Sequence, residues 1–163
     1  MVAKQPLEPG DNSRNVVPDR SEIKVPTNKG HLLLALMGDE QAAQLYRKAV
    51  DLAHRLHGDH SLAAFTPQIR LADALHSADS DDAAVGVLAQ ARDTLDFNHD
   101  DDAYRRAQLA DQFGQYYATR DLPKALDYAR TSVELYDRAH ATFDLGFALS
   151  RKARAEHQSG LDN

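Results

Sequence analysis

A spacing of about 42 residues recurs along this 163-residue chain, and it leaves few architectures open. The trio Ala42-Tyr46-Ala49 returns as Ala84-Leu88-Ala91 and again as Ala125-Ala129-Ser132, at steps of 42 and 41. A second landmark, a small residue followed three later by a large one, runs Gly30-Leu33, Ala72-Leu75 and Gly114-Tyr117 at steps of 42. A histidine marks the intervening links at His60, His99 and His140. A repeat of this length is one supersecondary unit whose apolar face stays exposed until a neighbour covers it, so the units must stack.

Helical periodicity fills each unit. Apolar residues three and four apart predict helices over Gly30 to Met37, about Asp39 to Gly58, Ser61 to Ala78, Asp81 to Asp96, Asp101 to Thr119, Leu122 to Arg138 and Ala141 to His157. Asp39 and Ser80 or Asp81 are placed to cap helix starts, and Gly58 and Gly160 to end helices. Pro67 is expected either to kink its helix or to follow a Thr66 cap. Gly86 and Gly146, isolated inside helices, are expected to permit close helix contact. Short links favour antiparallel neighbours. Residues 1–27 stand apart: Pro6, Pro9, Pro18 and Pro26 interrupt any helix, and an extended or mobile leader, with Val16, Val17, Ile23 and Val25 available for local packing, is expected before a helical domain over 28–160.

Several functional classes fall to composition. With 19 Lys+Arg against 25 Asp+Glu, the net charge of −6 offers a phosphate backbone no attraction. The absence of cysteine removes disulfides, thiol catalysis and thiolate metal sites. No apolar run approaches the ~20 residues that span a bilayer, and Met1 to Gly10 carries two prolines and an acid where a secretory signal would be apolar, so a cytoplasmic protein is expected.

The residues quoted above resemble the tetratricopeptide repeat family. Its small residue, large residue, alanine and aromatic are matched by Gly30, Leu33, Ala42 and Tyr46, and the later copies by Ala72, Leu75, Ala84, Leu88 and by Gly114, Tyr117, Ala125. The long period and the links His57-Gly58-Asp59-His60 and Asn98-His99-Asp100-Asp101 are similar to the kinesin-light-chain type. The match departs at Lys29 and Ala129, where large or aromatic residues are usual, and at a shortened turn near Asp121. The resemblance implies an all-α, right-handed superhelix of about three helix pairs, closed by a polar capping helix carrying Arg151, Lys152, Arg154 and Glu156. It also implies a concave groove that takes a protein or peptide. The matching groove positions are Ile69, Asp73 and His76, then Gln108, Asp111 and Gln115, then Arg154 and His157. A polar, mildly acidic lining of this kind suits a basic or amphipathic segment. Neither nucleic acid nor membrane is an expected partner, and no cofactor is implied.

Catalytic chemistry finds weaker footing. His54, His57 and His60 with Asp59 offer ligands of the type zinc accepts, which supports a metal-dependent hydrolase as a second reading. Against it, His57 suits a helix C-terminus and His60 recurs as a link residue. The runs Asp79-Ser80-Asp81-Asp82 and Asp100-Asp101-Asp102 lie at helix starts and read as caps before cation sites. No strained serine elbow or glycine-rich phosphate loop occurs. The aromatic set Tyr104, Phe113, Tyr116, Tyr117, Tyr128 and Tyr136 is expected in the core, with Tyr104 or Tyr116 as an exposed anchor. A third reading is the peptide-sensing part of a transcription regulator whose DNA-binding helices lie on another chain.

Overall fold

The computed structural model describes residues 38–160. The expected leader, the helix over Gly30 to Met37 and the Gly30-Leu33 landmark lie outside the described residues. Within them six α-helices follow one another with no strand: α1 (Asp39–His57), α2 (Phe65–Ser77), α3 (Asp81–Phe97), α4 (Ala103–Tyr117), α5 (Leu122–Arg138) and α6 (Thr142–Ser159). No helix among them is long and apolar enough to cross a membrane.

The helix ends show which local signals carried weight. Asp102 and Asp121 accept backbone N–H bonds from Arg105 and Lys124 at 2.9 and 3.2 Å and cap α4 and α5. Asp39 does not cap. It is the first helical residue of α1, where its charge faces the positive end of the helix dipole. Ser80 holds the N-cap position of α3, yet its hydroxyl turns back to the Ala78 carbonyl instead of capping. Pro67 neither kinks α2 nor follows a cap: a 3₁₀ turn over Leu62–Ala64 runs into the helix and leaves Pro67 in its first turn, where a backbone N–H would have no helical acceptor.

One turn geometry recurs at three helix ends. The N–H groups of Ser80, Asp100 and Ala141 each reach back to the carbonyl five residues earlier, at Leu75, Leu95 and Tyr136. This Schellman closure places the preceding residue in the left-handed region, and here that residue is Asp79, His99 or His140 instead of glycine. His99 and His140 are therefore structurally equivalent. His60 is not their counterpart, because its link turns at Gly58, with φ of 92°.

Burial is distributed in three linked clusters. One joins α1, α2 and α3 through Val50, Leu71, Leu75 and Ala84. The next joins α2, α3 and α4 through Phe65, Ile69, Leu88, Leu95 and Phe113. The third joins α4, α5 and α6 through Ala107, Tyr136 and Ala148. Extensive packing is confined to consecutive helices, with α2 also touching α4. The small-residue landmarks sit inside: Ala72, Ala84, Ala91, Ala125 and Ser132 are all buried.

The glycines divide. A Cβ on Gly114 would lie 3.5 Å from Tyr128 Cβ and 3.7 Å from the backbone of Ala125 and Ala129, so α4 and α5 approach closely there. Nothing lies within 4 Å of a Cβ on Gly86 or Gly146. These two are not contact glycines, because both face outward. Opposite responses are expected. Gly86→Ala and Gly146→Ala should each stabilise the protein by about 1 kcal/mol through helix propensity. Gly114→Leu should cost about 1–3 kcal/mol by overpacking. Urea unfolding of the three variants measures both signs.

Candidate functional site

A groove of about 420 Å³ opens between α4 and α6, and it brings together four of the eight residues expected to line one: His76, Asp111, Gln115 and Arg154. Its apolar surface is built from Gly114, Ala125, Ala129 and Ala155, with the half-exposed ring of Phe147 as one wall. The floor is thus the seam along which α4 and α5 approach closely.

The other expected positions lie elsewhere. Ile69 is buried, at 4% exposure, and packs in the α2–α3–α4 cluster. Phe65, Ile69 and Ala72 form an i, i+4, i+7 stripe, which directs Ile69 at the core and away from any groove. Asp73 borders a separate, smaller hollow with Tyr46 and Arg70. Gln108 and His157 do not line the groove either.

The charges in the groove are largely committed to one another. Arg151 of α6 donates from Nε to Asp111 Oδ1 at 2.6 Å and from its second nitrogen to Oδ2, a two-pronged pair across the groove. Burial raises the Asp111 carboxyl above its ordinary range, against the pull of Arg151. Asp111 is therefore not the free groove acid expected from sequence. Tyr104, donating to Asp144 at 3.2 Å, ties α4 to α6 a second time, and burial pushes the Tyr136 phenol upward nearby. At the rim, His76 Nδ1 lies 2.5 Å from Asp81 Oδ1. An ionised carboxylate only accepts, so the proton sits on Nδ1. Arg120 donates to the other oxygen of Asp81, and these two partners, His76 first, hold the Asp81 carboxyl below its usual range.

Three groove residues are absent from the sequence expectation: Phe147, Arg151 and Gln158. With the expected Arg154 they follow an i, i+4, i+7, i+11 stripe on α6, and all four line the groove. The spacing was visible, but α6 was expected to be a polar cap. It is not uniformly polar: Phe143 is 77% exposed and stacks edge-on against Phe147, with ring centroids 5.0 Å apart. Among the expected aromatic core residues, Phe113, Tyr117 and Tyr128 stack together. Arg120 lies over the Tyr116 ring at 4.6 Å.

The histidines proposed as metal ligands are not gathered. His54 and His60 wall one hollow, His57 and His60 another, and the His60 ring stacks on Phe97 at 4.2 Å. Among the described residues no group of three or more histidine or acidic side chains is placed to hold a metal ion. Members of both acidic runs are engaged by protein donors. Asp81 is held by His76 and Arg120, and Asp100 accepts from Arg105 Nε at 2.5 Å and from the Asp102 N–H at 3.0 Å. Comparison with known proteins supplies no relative: no family model, curated protein or solved structure matches the chain.

Two consequences can be measured. Arg151→Met strands the Asp111 carboxylate and should cost about 1–3 kcal/mol, below the 3–5 typical of fully buried pairs because Arg151 is a third exposed. Asp111→Asn mimics the protonated form that burial favours and leaves a partly hydrated guanidinium, so it should cost less than about 1 kcal/mol by denaturant titration. The second concerns acid. Arg105 holds the Asp100 carboxyl below its ordinary value, so its contribution is present above the unfolded carboxylate pKa of about 3.9 and is lost as pH falls through the lower folded value. Asp100→Asn should therefore lower Tm at pH 7, and the gap to the parent protein should narrow as pH falls below about 3.9.

Proposed function

We propose that this protein is a non-catalytic binding module of the tetratricopeptide type, a three-pair superhelix whose α4–α6 groove receives an extended or helical segment of a protein partner. The carrying observation is the groove itself. An apolar floor of small residues runs beneath half-exposed Phe147, with polar groups of Gln115 and Arg154 beside it. Such a surface takes an apolar side chain into the floor and leaves directional hydrogen bonds for the partner backbone. The stepwise burial, in which each cluster draws on three helices, and the close α4–α5 approach at Gly114 are what a stacked repeat requires.

The chemistry favours an amphipathic ligand. A basic anchor would need a free acid in the groove, but Asp111 is neutralised by Arg151 and Asp73 lies outside. The exposed charge that remains is Arg154. An apolar residue flanked by an acceptor, set against Phe147 and Arg154, meets these demands.

Phe147→Ser and Arg154→Glu alter side chains that carry little of the core, so helicity and Tm should hold. A partner captured by the parent chain should bind the double variant at least tenfold more weakly by isothermal titration. Retention of full affinity would move the binding surface away from this groove.

A further inference from the structure

The hollow between α1 and α3, about 510 Å³ in volume, shares no residue with the α4–α6 groove. Two of its wall residues carry buried polar atoms with no hydrogen-bond partner: the Oε1 of Gln68 and the Nε2 of His54. Gln68 is 1% exposed. A buried amide carbonyl or imidazole nitrogen without a partner is costly and rare in native proteins, and here the two residues that carry them, Gln68 and His54, line one cavity. The shared need is for hydrogen-bond donors, since a carbonyl oxygen only accepts and His54 Nε2 accepts when Nδ1 holds the proton.

Charge narrows the donor. Asp51, Asp59 and Asp93 border the hollow against a single cation, Arg47. Among the described residues the Asp51 and Asp59 carboxylates form no ion pair, and Asp93 has only a loose contact to Arg92 at 3.7 Å. An anion is disfavoured here, and a neutral hydroxyl compound leaves the carboxylates unanswered. Leu71 and Val87 supply an apolar strip suited to a methylene stem. We propose that this hollow binds the guanidinium or ammonium head of an alkyl chain, with Gln68 and His54 as acceptors and the aspartates as counter-charges. The head group comes either from a free amine or from an arginine or lysine of a protein partner. This site is independent of the groove function.

The test is titration of the full chain with agmatine and, separately, with an end-capped Gly-Arg-Gly tripeptide, followed by amide and imidazole NMR shifts. Shifts confined to α1, α2 and α3 are expected, with affinity falling at least tenfold in Gln68→Leu and in the double variant Asp51→Asn, Asp93→Asn. Binding of agmatine alone identifies a free amine; equal binding of the tripeptide identifies a partner's side chain. Gln68→Leu removes the orphaned acceptor at similar volume, so its Tm should hold or rise. A lower Tm in that variant would mean that water already satisfies Gln68, and would overturn the proposal. So would absent shifts, or undiminished affinity in both variants.

Discussion

Shared burial is the constraint on which everything else rests. Among the described residues no two helices complete a core between themselves. Phe65 and Ile69 of α2 meet Leu88 and Leu95 of α3, and the enclosure closes only when Leu109 and Phe113 of α4 arrive. Leu71 and Leu75 turn to the other side of the same α2 and bury against α1. A helix used on two sides transmits position along the stack, and the protein is held together by nearest-neighbour contacts in series.

The groove is a by-product of that arrangement. Alanines and a glycine are needed where α4 and α5 approach, and small residues leave space where the third layer, α6, passes over them. Larger side chains at the seam would push the helices apart and fill the hollow together. The Asp111–Arg151 pair then fixes how far α6 stands from α4. A cross-groove ion pair that burial makes unfavourable for its acid is a poor source of stability. Its geometry is better suited to setting the width of the opening.

The turns add a second layer of control. Three helix ends close with the same backbone bonds while carrying Asp79, His99 or His140 in a conformation that glycine adopts more easily. A turn that persists without its preferred residue is being imposed by the helices on either side. The local sequence there follows the fold.

What the linear pattern determined by itself was the placement of the helices and the face that each must bury. It determined six of the expected helices nearly to their ends, a cap from the acidic run that ends at Asp102, and the burial of Ala72, Ala84 and Ala125. These follow from interactions within a few residues or from the face an apolar stripe must hide. The tertiary structure decided the rest. It buried Ile69, committed Asp111 to a residue 40 positions away, left Gly86 and Gly146 facing outward, and turned Arg151 inward from a helix expected to be a polar cap. Each of these depends on the rotation of one helix against another, and a helical period names a face without saying which neighbour will meet it.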